Sequence, residues 1–469
     1  MNRKFGVWVQ CWQIGLLSSF LFIASFNFES HANLLADEEL PPLPKGPLIL
    51  TSIRPEQLTA DYWINRLPNP DKLVKTPEEL RKFNREITTT IQERVDIFRL
   101  KTERDGVSMR KLLEFEFKTV SNRFLFGANG KRILASLFNQ EIKPLVASET
   151  VPKKINLKWG IATQATSVRA LPTLVKMLEA SDDIEFDQLQ FTLIKLWTPV
   201  AILHESPNGK WYYIQAPYVR GWVLAKDIAR TSTRGELKKL VEGDDFLVVT
   251  GESIPIYFDS DFAQFEYQPS MGTRLPLASI QEKHYVIWMP LRGSEGEVSL
   301  RKSYVSIQSD VSHGFLPLTQ RNVIRQAFKL LGARYGWGGM YNGRDCSGFT
   351  HDVFLSVGVD MPRDSKQQAF VGTQLGHFPP HEGESEKIAA LRSGLPGFTL
   401  LRMSLHMMLY LGEEDGNFYV IHSTWAERVS MTSDEKRRIN QVVVSDMTLN
   451  GKSYLGPLFD RVISINEVN

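Results

Sequence analysis

Three side chains in the last third of the chain have types and spacing suited to nucleophilic chemistry. Cys346 stands where a helix is predicted to begin, His406 opens the predicted strand 406–411, and His422 closes the predicted strand 419–422. A thiol attacks a carbonyl carbon only as the thiolate. The free N–H groups of a helix start favour that charge, an imidazole can accept the proton, and a third polar group must orient the imidazole. The set therefore predicts a Cys-His-His arrangement.

Each of these residues also has a purely structural interpretation. A single histidine at a strand end is more often a packing or surface residue, and a single cysteine is more often packed than reactive. A zinc site is disfavoured because no close pair of ligands is present. The glycine-rich loop 334–339 is not a phosphate loop, since no Gly-Lys-Ser/Thr follows it. From the residues alone, catalysis and packing are equally compatible with the pattern.

Two helices and a hairpin must position the three side chains. The first helix is predicted to begin at Thr319 and to stop at Gly332, and the second to run from Cys346 to Gly358. The stretch 412–417 has turn composition, so a hairpin would bring the two histidines together at facing strand ends. The apolar positions expected inside are Val323, Ile324, Ala327, Phe328, Leu331, Phe349, Val353, Phe354 and Val357.

The preceding sequence divides into a helical region and two β-rich segments. A capping box at 76–79 starts an amphipathic helix. Short β-type runs separated by turn residues fill 158–230 and 243–307, which predicts two small all-β barrels. We therefore expect a multidomain chain that ends in an α+β domain. The predicted boundaries are 1–32 for a signal peptide, 33–150 for an N-terminal extended and helical domain, 151–235 for the first barrel, 236–312 for the second barrel and 313–469 for the C-terminal domain.

The first 32 residues have the pattern of a secretory signal peptide. Arg3 and Lys4 give a positive start, an apolar run covers 14–26, and small residues flank His31 at the expected cleavage site. Cleavage would remove Cys11 and leave a single cysteine in an oxidising compartment, with no partner for a disulfide. The sequence predicts secretion across the inner membrane and a location in the periplasm or cell envelope.

Composition narrows the possible partners. Hydrophobic residues make up 42% of the 469 residues and charged residues 23%, which is ordinary for a chain that buries several cores. The formal net charge is only +2, so a nucleic-acid partner has no support. No later apolar stretch approaches the length of a membrane span. A monomer without a membrane span after signal removal is expected.

A series of motifs in the C-terminal domain has a specific order and spacing. The motifs are Tyr335-Gly336-Trp337-Gly338-Gly339, Asp345-Cys346-Ser347-Gly348-Phe349, Met361-Pro362-Arg363-Asp364-Ser365, Gln368 and His406 to Gly412. This series resembles the NlpC/P60 cysteine peptidases. The two barrels look like the paired bacterial SH3 domains that precede the catalytic domain in some members. One departure is Phe398, where many members have aspartate.

The resemblance implies a papain-like α+β peptidase domain preceded by two SH3-like domains. Its implied activity is hydrolysis of the γ-D-glutamyl bond to a diamino acid, diaminopimelate or lysine, in peptidoglycan stem peptides or muropeptides. In that case Cys346 is the nucleophile, His406 the general base and acid, and His422 the orienting residue. No cofactor or metal is implied.

The resemblance also implies a substrate pocket around the thiol. Relatives with these domains prefer a free N-terminal L-alanine, so a carboxylate should meet the ammonium group, and Asp345 is the expected one. The first SH3-like domain is expected to close one end of the groove. The substrate-binding residues that the resemblance implies are Tyr335, Trp337, Asp345, Ser347, Asp364, Ser365 and Tyr218.

A non-catalytic function is the alternative. Two SH3-like domains and an inactive peptidase-like domain could form a scaffold that only binds peptidoglycan. The complete set of Cys346, His406 and His422 argues against this alternative.

Overall fold

A computed structural model describes residues 46–469 of the chain. The predicted signal peptide lies outside the described residues. No helix within 46–469 combines the length and apolar character that a membrane crossing requires.

The N-terminal region is mainly helical, and its second helix begins at the predicted capping box. Thr76 Oγ1 accepts a hydrogen bond from the Glu79 N–H, and Glu79 Oε2 accepts one from the Thr76 N–H at 2.8 Å. Phe83 and Ile87 form the buried stripe of this helix. The elements are α1 (Ala60–Ile64), α2 (Pro77–Thr90), β1 (Glu103–Asp105), α3 (Gly106–Ser121), α4 (Lys143–Val146) and β2 (Lys154–Asn156).

Seven antiparallel strands form the first all-β domain. Their order is β5-β4-β8-β7-β6-β3-β9, and the buried side chains of β7 and β8 include Tyr213 and Trp222. Gly221 is required where these strands approach β4, because a Cβ there would lie 2.7 Å from the Arg169 carbonyl oxygen. The strands are β3 (Lys158–Ala162), β4 (Thr166–Arg169), β5 (Gln190–Ile194), β6 (Pro199–Glu205), β7 (Trp211–Ala216), β8 (Val219–Leu224) and β9 (Ile228–Thr231).

A second seven-stranded sheet follows helix α5 (Arg234–Val241). Its order is β12-β11-β15-β14-β13-β10-β16, and the long hairpin of β14 and β15 is its centre. The two expected all-β domains are therefore present. The strands are β10 (Phe246–Val249), β11 (Ile256–Tyr257), β12 (Phe265–Tyr267), β13 (Arg274–Ile280), β14 (His284–Arg292), β15 (Val298–Ser306) and β16 (Val311–His313).

The C-terminal domain is an α+β unit built on a six-stranded sheet of order β17-β22-β18-β19-β20-β21. Alternate residues of β19 point to opposite faces, so Met407 and Leu409 join the cluster beneath α7, while Met408 and Tyr410 join the cluster on the other face. The elements are α6 (Gln320–Lys329), α7 (Cys346–Ser356), α8 (Ser365–Gln368), β17 (Thr373–His377), α9 (Glu384–Ser393), β18 (Thr399–Met403), β19 (His406–Glu414), β20 (Asn417–Arg428), β21 (Lys436–Asp446), α10 (Leu458–Arg461) and β22 (Ser464–Glu467).

Phe398, the departure from the family pattern, belongs to this core. Its side chain is fully buried and lies 6.2 Å from the Phe354 ring of α7, centroid to centroid. The turn before β18 is intact, because Gly397, at a φ of 81°, donates its N–H to the Tyr410 carbonyl at 2.7 Å. Phe398 therefore supports α7 by packing.

A buried ion cluster joins the domains next to α7. Lys195 of the first all-β domain contacts the Asp352 carboxylate of α7 at 2.9 Å, and Arg344 contacts the other oxygen of that carboxylate at 2.8 Å. Arg344 also donates to the Glu252 carbonyl of the second all-β domain at 3.0 Å. The two cations lower the pKa of Asp352 to about 2, despite its burial. A shared carboxylate thus holds the domains together.

Removing this charge should destabilise the whole assembly. We expect Asp352→Asn to lower the free energy of unfolding by about 3 kcal/mol, because two buried cations lose their counter-ion. Urea denaturation followed by tryptophan fluorescence measures this change. Asp61→Asn is the control, since Asp61 forms an exposed pair with Arg325 at 3.5 Å and should unfold like the wild type. Equal stabilities of the two variants would contradict the expectation.

Candidate active site

The only cysteine in residues 46–469 is at the first residue of helix α7, as the sequence predicts. Asp345 caps this helix by accepting a hydrogen bond from the Gly348 N–H at 2.8 Å. The Cys346 Sγ lies 3.9 Å from the Leu405 carbonyl oxygen and contacts the Met407 N–H. The thiol therefore packs against the backbone on both sides of His406, at the start of β19.

Leu405 shapes this contact. It has a φ of 61°, a left-handed conformation that is costly for a leucine, and its side chain is 88% exposed. This conformation closes the turn between β18 and β19, where Met403 pairs with His406. The Leu405 carbonyl is thereby turned towards the thiol.

A chain of hydrogen bonds runs from His406 across the sheet. His406 Nε2 lies 2.7 Å from His422 Nδ1, and His422 Nε2 lies 3.0 Å from Ser445 Oγ. The three side chains stand on the neighbouring strands β19, β20 and β21. The predicted hairpin is thus present and unites the two histidines. Ser445 was not predicted, although its position in the buried run Val442-Val443-Val444-Ser445 marks it as a polar exception.

Burial controls the protonation of these groups. It raises the pKa of the Cys346 thiol to about 12, with the Asp345 carboxylate acting in the same direction and the N–H groups of Met407 and Ser347 opposing it. Burial and the Arg461 guanidinium lower the pKa of His406 to about 4. Burial and His406 also hold the pKa of His422 well below its usual value. An isolated thiolate is therefore not favoured at this position.

Asp345 has more partners than the sequence indicates. Both terminal nitrogens of Arg363 donate to its two carboxylate oxygens, at 2.9 and 2.6 Å, and the Gly338 N–H donates at 2.9 Å. Arg363 lowers the pKa of this buried carboxyl. The Asp345 carboxylate therefore already has a counter-ion, and its expected contact with a substrate ammonium group stays a prediction.

The first all-β domain reaches the site through Arg363 and the glycine-rich loop. Arg363 Nε donates to Thr192 Oγ1 of β5 at 2.7 Å, and Gln190 Nε2 donates to the Gly338 carbonyl at 3.0 Å. Gly338 has a φ of 55°, and a Cβ there would lie 2.7 Å from Gln190 Cγ. Glycine at this position permits both the turn and the close contact between the two domains.

Aromatic side chains from both domains form a wall beside the thiol. Burial, with Cys346 and Asp345 nearby, keeps the pKa of Tyr335 well above its usual value. The Phe186 ring of the first all-β domain lies 6.1 Å from Tyr335, 5.6 Å from Trp337 and 5.2 Å from the Trp425 ring of β20, centroid to centroid. Trp337 Nε1 donates to the Asp187 carbonyl at 3.1 Å. Two of the expected pocket residues, Tyr335 and Trp337, thus share one wall.

Glu185 and Phe186 of this wall were not predicted from the sequence. Glu185 accepts hydrogen bonds from Trp425 Nε1 at 2.8 Å and Asn440 Nδ2 at 3.3 Å, and pairs with Arg438 at 2.9 Å. Both residues lie in a loop of the first all-β domain. No local motif links that loop to strands more than two hundred residues away, so only the folded chain reveals the contact.

The remaining expected pocket residues have different environments. Ser347 Oγ accepts from Arg363 at 3.0 Å, beside Asp345. Asp364 is exposed at the N-cap of α8, where one oxygen accepts from the Lys366 N–H at 2.8 Å, and Ser365 follows it.

Tyr218, the expected pocket residue from the first all-β domain, lies beside α7. Its ring lies 5.0 Å from His351 of α7, and its hydroxyl bonds Thr198. These contacts are with α7 and its own domain, and Arg363, which pairs with Asp345, also acts on the Tyr218 hydroxyl. A role of Tyr218 in the pocket stays a prediction. No cluster of three or more histidine, cysteine or acidic side chains in residues 46–469 is arranged to hold a metal ion.

Comparison with known proteins identifies two regions of the chain. A model of the NlpC/P60 family matches residues 332–448, and a model of the SH3 domain of SH3b1 type matches residues 172–224. A curated Gamma-D-glutamyl-L-lysine dipeptidyl-peptidase from Bacillus cereus is 29% identical over 192 residues, which are 39% of this chain and 51% of the relative. The chain thus spans about half the length of this relative.

Solved structures extend the comparison to the whole fold. An NlpC/P60 endopeptidase from Photobacterium damselae subsp. piscicida superposes with a TM-score of 0.72 at 17% identity, covering 92% of this chain and 98% of that one. An NlpC/P60 family protein from Bacillus cereus has a TM-score of 0.47 at 18% identity, covering 66% and 99%. The first of these shows a shared fold. The chain therefore carries a C-terminal domain of the NlpC/P60 family, preceded by an SH3 domain of the SH3b1 type.

Proposed function

We propose that this protein hydrolyses the γ-D-glutamyl bond to a diamino acid in peptidoglycan stem peptides, with Cys346 as nucleophile. The observation that carries the proposal is the contact of the Cys346 thiol with the backbone on both sides of His406, together with the 2.7 Å bond from His406 to His422. The NlpC/P60 domain and the peptidase named among the relatives support the same reaction class.

The hydrogen bonds support a separate role for each ring nitrogen of His406. His406 Nε2 is engaged by His422, which leaves His406 Nδ1 for the thiol proton. Transfer of that proton creates a thiolate and an imidazolium that stabilise each other in a buried site. The thiolate then attacks the γ-carbonyl carbon, and His406 returns the proton to the departing amine. Water, deprotonated by His406, hydrolyses the thioester and releases the acid.

A free amino terminus is the second part of the proposal. The first all-β domain packs against the glycine-rich loop beside Asp345, which supports a groove closed at that end to long wall polymers. Asp345 is neutralised by Arg363, so the exposed Asp364 carboxylate is the better partner for a substrate ammonium group. We assign released peptide fragments as the substrate, rather than intact cross-linked wall.

The proposed substrate also implies that the protein is exported. Peptidoglycan stem peptides are reached in the periplasm or cell envelope, and the predicted signal peptide at 1–32 would deliver the protein there. A scaffold that only binds peptidoglycan is the alternative, but a buried thiol beside a histidine pair would have no use in it.

The protonation state of the thiol should depend on His406. We expect Cys346 of the wild type to react with iodoacetamide with a midpoint well below the usual thiol pKa of about 8.5. His406→Gln should move the midpoint above 8.5, because burial and the Asp345 carboxylate raise the pKa of the thiol to about 12. Mass spectrometry of the Cys346 peptide across a pH series measures both. His377→Gln, at an exposed histidine, should behave as wild type. Coincident wild-type and His406→Gln curves would exclude the proton transfer.

The loss of activity on substitution should decrease in the order Cys346, His406 and His422. We expect Cys346→Ala to reduce hydrolysis of L-Ala-γ-D-Glu-diaminopimelate by about four orders of magnitude, and His406→Ala nearly as much. His422→Ala should cost on the order of a hundredfold, because it orients the base without touching the substrate. Liquid chromatography of the products measures the rates, and circular dichroism checks the fold. Wild-type turnover by Cys346→Ala would favour the scaffold.

Recognition of the amino terminus should depend on Asp364. We expect Asp364→Asn to lower kcat/KM about tenfold for the peptide with a free L-alanine amine, because a charge-assisted hydrogen bond is lost. The N-acetylated peptide, which the proposal expects to be a poorer substrate, should be cleaved by Asp364→Asn at the wild-type rate. Asp415→Asn, at an exposed aspartate in the turn between β19 and β20, is the matched control. Equal losses on both peptides would rule out an ammonium contact.

A further inference from the structure

Ser445 is a buried polar residue next to the histidine pair that the catalytic scheme has not yet used. It is fully inaccessible to solvent in β21 and follows three valines. A buried hydroxyl is normally retained with a hydrogen-bond partner, and the partner here is His422 Nε2 at 3.0 Å. Ser445 therefore stands directly behind the histidine that orients His406.

The direction of the hydrogen bonds gives Ser445 a defined role. When His406 becomes an imidazolium, its Nε2–H must donate to His422 Nδ1, so that nitrogen must carry a lone pair. Neutral His422 then holds its single proton on Nε2. That N–H points at Ser445 Oγ, which accepts it. Without an acceptor, this N–H would be buried and unsatisfied, since His422 is only 1% exposed.

We propose that Ser445 is a positioning residue that holds the proton of His422 on Nε2 and so keeps Nδ1 available to the His406 imidazolium. The proposal rests on the proposed function, in which His406 takes the thiol proton. It extends the set to a four-membered chain, Cys346, His406, His422 and Ser445, on one helix and three adjacent strands.

The charged groups that act on Cys346, His406 and His422 belong to residues other than Ser445. Arg461 of α10 and Asp345 act on His406 with opposite signs, and Arg363 and Asp345 act on Cys346. His406 itself is the charged neighbour that lowers the pKa of His422. Loss of the Ser445 hydroxyl leaves these charges in place, so a change in titration can be attributed to the His422 tautomer.

The test compares Ser445→Ala with Ser464→Ala in the full chain. Ser464 is a buried serine of the same sheet whose hydroxyl has no hydrogen-bond partner among the described residues, so its loss should leave activity unchanged. We expect Ser445→Ala to lower kcat for the L-Ala-γ-D-Glu-diaminopimelate peptide about tenfold to a hundredfold, with little change in KM. Ser445→Thr, which keeps the hydroxyl, should recover most of the loss.

The pH dependence of kcat/KM distinguishes a positioning role of Ser445 from a role in packing alone. Weaker stabilisation of the imidazolium should raise the acid-limb pKa of kcat/KM and lower the alkaline-limb pKa, so the bell of Ser445→Ala should narrow from both sides. Nitrogen-15 NMR should show the His422 proton on Nε2 in the wild type and redistributed in Ser445→Ala. Unchanged limbs and an unchanged tautomer would overturn the proposal, whatever the loss of rate.

The proposal and the proposed function fail in different ways. If the wild type does not cleave the peptide, the proposed function fails. The pH dependence of Cys346 alkylation still reports the thiolate–imidazolium pair and tests Ser445 by itself. If the peptide is cleaved but Ser445→Ala titrates as the wild type does, only the role of Ser445 is lost.

Discussion

The bidentate pair of Asp345 and Arg363 is the interaction on which the site depends. Asp345 caps helix α7 through Gly348 and fixes the glycine-rich loop through Gly338, while Arg363 extends to Thr192 in the first all-β domain. A bare carboxylate beside a buried thiol would oppose ionisation of that thiol. The guanidinium offsets this charge, so the carboxylate can organise the backbone around Cys346 with a smaller electrostatic penalty for the reaction.

The same constraint explains why Cys346, as the proposed nucleophile, would need His406 to ionise. The start of a helix favours a thiolate, but here burial dominates and the pKa of Cys346 rises. A charge pair created by proton transfer to His406 adds no net charge to the buried site, whereas a lone thiolate does. The hydrogen bonds from His406 through His422 then spread the positive charge towards β21. The packing that buries Cys346 therefore also determines how the thiol can lose its proton.

The sequence predicts the local elements of the site but not the contacts between distant parts of the chain. The helix start at Cys346 and the hairpin that joins His406 and His422 follow from caps, turns and hydrophobic periodicity. Asp345 has an obvious capping position, but its pairing with Arg363 depends on the return of the chain after α7. Glu185 and Phe186 reach the pocket from another domain. Such contacts leave no periodic signal, so a carboxylate that looks free in the sequence can be neutralised in the fold.

Contacts between the domains also cross the predicted domain boundary at 312/313. The boundary separates residues that share buried charge: Lys195 lies on one side, and Asp352 and Arg344 lie on the other. Arg363 would likewise lose Thr192 if the C-terminal domain stood alone. Because α7 carries Cys346 at its first residue and Asp352 about one and two-thirds turns further on, the ion cluster and the thiol are rigidly connected. The SH3 region therefore contributes to the position of Cys346 as well as to the aromatic wall beside it.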